Sequence, residues 1–144
     1  MLTNRSVPSG ILISHIEYQD LPKAIDWLQR VFGFTEHFRY GQPVAGAQML
    51  FGRACVMVRQ APTGHSSPAQ LGYGTQSLTV FVEDVDAQFA KVKSQGAKVV
   101  EELHETEYGE RQFGVIDLDG HHWLFARHAR DVGPEEWGAR MATT

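Results

Sequence analysis

The spacing of apolar residues along this 144-residue chain changes several times, and the changes come round twice. Over Ile11–Tyr18 the chain alternates: Leu12, Ser14, Ile16 and Tyr18 on one side, Ile13, His15 and Glu17 on the other, which predicts a strand. The period then lengthens to that of a helix, with Leu21, Ile25, Leu28 and Phe32 on one face. Asp20 stands where an N-cap belongs, Pro22 lies in the first turn, and Gly33 stops the helix. Three short strands are expected next, at about 34–40, 44–51 and 54–60.

Residues 61–75 hold Pro62, Gly64, Ser66, Ser67, Pro68, Gly72 and Gly74, which predicts an unpacked linker. After it the first programme starts again. A strand over 76–83 meets Asp84, Val85, Phe89 and Val92 recur at helical spacing, Gly96 closes the helix, and strands follow at 98–103, 112–117 and 121–127. The chain reads as a tandem duplication of one β-α-β-β-β unit: unit one 11–60, linker 61–75, unit two 76–128 and a tail 129–144, within a single domain.

Its densest stretch is Tyr108–Ala126. Asp117-Leu118-Asp119-Gly120 is a tight turn between two strands, and Trp123 and Phe125 share a face that needs covering, for which the helix near 85–95 is the candidate. In the tail, Pro134 followed by two glutamates suits a short helix start, and Trp137 should pack on the body or on a partner chain.

Composition narrows the function classes. A net charge of −4 gives no basic footprint for nucleic acid, and no apolar run is long enough to span a membrane. The single Cys55 excludes an internal disulfide and a thiolate metal cluster, which suits a reducing cytoplasm; it reads as a small core residue rather than a nucleophile. His37, His65, His104 and His128 fall at strand ends or in loops with nothing to gather them.

Three stretches in order, DLPKAIDWLQRVFGF (20–34), VEDVDAQFAKVKSQGA (82–97) and YGERQFGVIDLDGHHWLFA (108–126), resemble the vicinal oxygen chelate superfamily. That group includes glyoxalase I, extradiol dioxygenases, and fosfomycin and bleomycin resistance proteins; the YGER (108–111) and GHHWLFA (120–126) pieces of the third stretch most resemble its bleomycin-resistance-like branch. The resemblance covers 11–128 and implies an α+β fold of tandem β-α-β-β-β units, each curling a mixed sheet into half of a cup that holds a ligand. It also implies a homodimer, since cups in this group are often built from two chains.

The metal enzymes of the group carry ligands on the first and last strand of each unit. Aligned on Asp20, Asp84 and Gly120, those positions fall on Ile13, Val58, Ser77 and Leu124, none of which offers imidazole or carboxylate. The expectation is therefore a small organic ligand bound without a cofactor, by His15, Glu17, Ser77, Tyr108, Arg111 and His122. His15 and Glu17, two apart on a strand, should face the cup together, and a carboxylate beside an imidazole raises the latter's pKa. Tyr108, Glu110 and Arg111 sit at the hairpin mouth, where they either contact ligand or lock the turn through an Arg–Glu pair. The alternative is a metal-dependent isomerase, lyase or dioxygenase with a shifted divalent site at His15, Glu17 and His122, or a metal-free acid–base catalyst using the His–Glu pair.

Overall fold

The computed structural model describes residues 2–6 and 12–143. In the first half, β1 (His15–Tyr18) leads into α1 (Leu21–Trp27), followed by β2 (Thr35–Tyr40), β3 (Gly46–Phe51) and β4 (Ala54–Gln60). A short α2 (Pro68–Leu71) separates this from β5 (Ser77–Phe81), α3 (Val85–Ser94), β6 (Lys98–Glu105), β7 (Glu110–Ile116) and β8 (His122–His128). The sheets run β1-β4-β3-β2 and β5-β8-β7-β6. In each, the first strand lies parallel to the last and the other pairs are antiparallel. This is the expected α+β pair of mixed sheets.

The duplicated aspartates work as caps. Asp20 Oδ1 accepts from the Lys23 amide at 3.2 Å and Asp84 Oδ1 from that of Ala87 at 3.0 Å, each satisfying a donor the helix cannot, worth about 1 kcal/mol. The last turn of the first helix widens into a π-helical stretch, Leu28–Phe32, before Gly33 at φ 91°. Its carbonyl end is then met from the other unit: Gln88 Nε2 on α3 donates to the Phe32 carbonyl at 2.8 Å.

One face of each sheet packs into a common core. Ile16, Tyr18, Ala47, Met49, Val56 and Val58 come from the first sheet, and Val80, Phe113, Val115, Trp123 and Phe125 from the second. The aromatic face of the second hairpin is covered differently from the expectation. Phe89 of α3 meets Phe113, but Trp123 and Phe125 stack edge-on against Phe32, at 5.5 and 5.0 Å, and Phe34 adds to Trp123. The first unit's helix end therefore fills the second unit's core, a long-range contact that helical spacing alone does not encode.

Two local readings are corrected. The first strand begins at His15 rather than Ile11; Leu12 is 97% exposed and does not pack against the helix, and Ile11 lies outside the described residues. The 61–75 stretch is not an unpacked linker. Ser67 caps α2 through a reciprocal box with Gln70, and the Ala69 amide donates to the Asp119 carbonyl at 2.9 Å, docking the segment on the β7–β8 turn. Among the described residues no helix is long and apolar enough to cross a membrane.

Candidate functional site

Because side chains alternate along a strand, burying Ile16, Tyr18, Val56 and Val58 sends their neighbours to the opposite, open face of the first sheet. That face carries His15 and Glu17 of β1, Cys55, Met57 and Arg59 of β4 and, fully buried among its neighbours, Gln48 of β3. Cys55 is thus half-buried outside the core, and burial pushes its thiol up, away from the reactive thiolate. In the second sheet the same logic turns Ser77, Thr79 and Phe81 of β5, His122 and Leu124 of β8, and Gln112, Gly114 and Ile116 of β7 to the face away from the core, where Gln112 and Gly114 are still buried by their neighbours.

Two clefts open at the end of these faces and meet at the segment 73–76. The larger, about 730 Å³, is lined by Tyr73, Ser77, Lys98, Val100, Ile116 and His122, with backbone from Gly72, Gly74 and Gly120. The smaller, about 380 Å³, is lined by His15, Glu17, Gln19, Leu71, His121 and His122. Tyr73, Gln76 and His122 border both. Four of the six expected ligand residues, His15, Glu17, Ser77 and His122, therefore come to one region. The docked 61–75 segment forms its wall.

Within it the expected His15–Glu17 pair is replaced by another. Glu17 Oε1 lies 2.7 Å from His65 Nδ1, and Oε2 lies 3.7 Å from the Arg59 guanidinium. His65 is thus gathered to the site, against the expectation, because the segment folds back over β1; Gln19 Nε2 holds it there by donating to the His65 carbonyl at 3.0 Å. His122 makes the opposite kind of contact. Its Nε2 is buried without a hydrogen-bond partner, over the backbone of Gly114, where a Cβ would approach it to 3.0 Å.

The remaining two expected residues are elsewhere. Arg111 shares its strand face with Phe113, on the helix side, and grips Asp86 of α3 with Nε and Nη2 at 3.1 and 2.8 Å. This pair replaces the anticipated Arg–Glu lock and holds the Asp86 carboxyl below the usual range. Glu110 instead meets His128 at 3.1 Å. Tyr108 stays at the far end of the second sheet, donating to Gln112 Oε1 at 3.2 Å, with its ring edge-on to Trp137 at 5.8 Å.

Beneath the clefts lies a buried carboxylate. Asp117 accepts from Tyr18 Oη at 2.7 Å, Trp123 Nε1 at 3.0 Å and the amides of Asp119 and His121. Burial pushes its carboxyl up, and the nearby His121 and these donors only partly offset that. His121 points its Nε2 at the Glu17 carbonyl, 2.8 Å away, so it braces β1.

Among the described residues no three His, Cys, Asp or Glu side chains converge to hold a divalent ion, and Glu17 is already engaged by His65 and Arg59. His15, Glu17 and His122 do not fit a first coordination shell as placed.

Sequence reading missed His65, Tyr73 and Lys98. Tyr73, an aromatic residue between two glycines, carried a signal: a bulky side chain where a free linker needs none.

The model of the Glyoxalase/Bleomycin resistance protein/Dioxygenase superfamily matches residues 12–125. An uncharacterised protein of Mycobacterium bovis is 30% identical, with 92% of each chain covered. Among solved structures, TioX from Micromonospora sp. ML1 aligns with 36% identity and TM-score 0.68, over 81% of this chain and 97% of its own. TnmS3, an antibiotic binding protein from Streptomyces sp. CB03234, shares the fold at 21% identity and TM-score 0.67, over 85% and 98%. So does the fosfomycin resistance protein FosX from Listeria monocytogenes, at 16% identity and TM-score 0.64, over 90% and 98%.

Proposed function

The chain belongs to the glyoxalase/bleomycin resistance protein/dioxygenase superfamily, and from that premise we propose that it binds a small organic molecule, a drug or metabolite, without a catalytic metal. The observation that carries this is the pair of clefts meeting at Tyr73–Gln76, lined by aromatic and polar side chains whose hydrogen-bonding capacity is only partly used. Such a mixed lining favours an apolar ligand oriented by a few polar contacts. The metal-free part rests on the chemistry of Ile13, Val58, Ser77 and Leu124, and on the engagement of Glu17. The antibiotic-binding fold neighbour adds an analogy and no more.

The ligand residues in this reading are His15, Glu17, Ser77 and His122, with Tyr73 as an apolar wall. Tyr108 and Arg111 serve the fold of the second sheet. The protein acts as a single-domain cytoplasmic homodimer. The open faces, with Phe81 at 61% and Tyr40 at 47% exposure, are the surfaces a second copy would cover, and light scattering at micromolar concentration should give twice the monomer mass.

A thermal-shift screen of antibiotics and metabolites on chelator-treated protein tests the binding reading, since a ligand of the folded state alone raises its stability. The second reading is an enzyme with a shifted divalent site at His15, Glu17 and His122. It requires Glu17 to leave His65, and stoichiometric metal in protein purified without chelator or affinity tag would favour it.

A further inference from the structure

The larger cleft is crossed by one transverse row of the second sheet. Lys98 of β6 pairs in register with Ile116 of β7, Ile116 with His122 of β8, and His122 with Ser77 of β5. Residues paired across strands share a face, and all four line this cleft. The row thus sets an apolar side chain between a primary ammonium on one flank and an imidazole and a hydroxyl on the other.

Charge in the cleft is one-sided. Apart from the titratable His122, Lys98 is the one charged side chain among the described lining residues, and it forms no ion pair among the described residues. Glu101, on the same strand as Lys98, is engaged elsewhere: its Oε2 accepts from Gln112 Nε2 at 2.9 Å, and it does not line the cleft. The smaller cleft differs, because Glu17 borders it.

The Lys98 ammonium and the Ser77 hydroxyl present donors on the two flanks, while Tyr73, Val100 and Ile116 present apolar surface between and around them.

We propose that the larger cleft selects an anionic amphiphile: a flat apolar molecule carrying a carboxylate, sulfonate or phosphonate, with the acid group at Lys98 and the apolar body across Ile116 against Tyr73. This deepens the small-molecule reading above and rests on it.

Two fluorescent probes with one ring system separate charge from apolar contact: anilinonaphthalene sulfonate and the uncharged phenylnaphthylamine. The wild-type protein should bind both saturably, the sulfonate more tightly and with a salt dependence the amine lacks. Lys98→Met should weaken the sulfonate about fivefold, the scale of one exposed ion pair, and leave the amine within twofold. Lys98→Arg should restore the sulfonate, and Tyr73→Ala should weaken both probes. If Lys98→Met changes neither probe, or both equally, or if Tyr73→Ala changes neither, the anion assignment is overturned while small-molecule binding stands. If the wild-type protein binds neither probe, the small-molecule reading falls with it.

Discussion

Tyr18 Oη donates to Asp117 Oδ2 at 2.7 Å, tying the end of β1 to the β7–β8 turn 99 residues later. The same carboxylate holds Trp123 and two turn amides, so it fixes both the hairpin and the floor beneath the clefts. Tyr18→Phe removes one donor to a charged group and should cost about 2 kcal/mol in urea unfolding. Asp117→Ala leaves the buried Tyr18 and Trp123 donors and two part-buried turn amides without their acceptor and should cost about 3 kcal/mol or more.

The pH dependence of that carboxyl has a definite sign. Burial raises Asp117 above its unfolded value, so the folded chain takes up its proton first on acidification. Its contribution is fully present below the ordinary aspartate range and is lost as pH rises through the raised folded value. Asp117→Asn does not titrate, so the stability of wild type relative to this variant should grow as pH falls from 7 toward about 4. Paired urea curves across that range check it; a gap that shrinks on acidification would contradict it.

The division between what the sequence disclosed and what it hid follows interaction range. Asp20 and Asp84 were legible because a cap bonds an amide three residues away, and the turn before Gly120 because its hydrogen bonds stay within four residues. The reciprocal box of Ser67 and Gln70 was equally local but was masked by a Gly- and Pro-rich composition. Arg111 with Asp86 and His65 with Glu17 span 25 and 48 residues, and Phe32 reaches the other unit's Trp123. Such pairings are fixed only when distant segments dock: α3 on β7, the 61–75 segment on β1, and one unit on the other. Strand alternation gave His15 and Glu17 a common face; their meeting with Ser77 and His122 of the other unit needed the docking of the two sheets, and the Lys98 flank needed the register of β6 against β7.

Gly120 tests the wall of the clefts. It sits at φ 86°, and a Cβ there would lie 2.6 Å from the Ala69 amide nitrogen. Gly120→Ala should therefore cost about 1–2 kcal/mol in backbone strain and displace α2 from the turn. Any probe bound in the larger cleft should weaken severalfold, whereas Gly52→Ala, which meets nothing within 4 Å, should share the strain but keep the affinity. Calorimetric unfolding and probe titration of the two variants make the comparison.

Glu17 and His15 separate binding from folding. Glu17→Gln breaks the exposed latch to His65 and should shift stability by less than about 1 kcal/mol. His15→Gln should shift it less still, because no hydrogen bond of the described fold depends on that ring. If both residues contact ligand, affinity should fall in each variant while urea midpoints stay close to wild type. Normal affinity with earlier melting would make the pair structural, and affinity that tracks added zinc or manganese would favour the enzyme.

Amide chemical-shift mapping with a compound that stabilises the chelator-treated protein is the most direct test of the central claim. Saturable shifts are expected at residues 72–77, Lys98 and Gly120–His122, unchanged by chelator. Shifts confined to Tyr108 and the Trp137 tail, or shifts that appear only after a divalent metal is added, would contradict it.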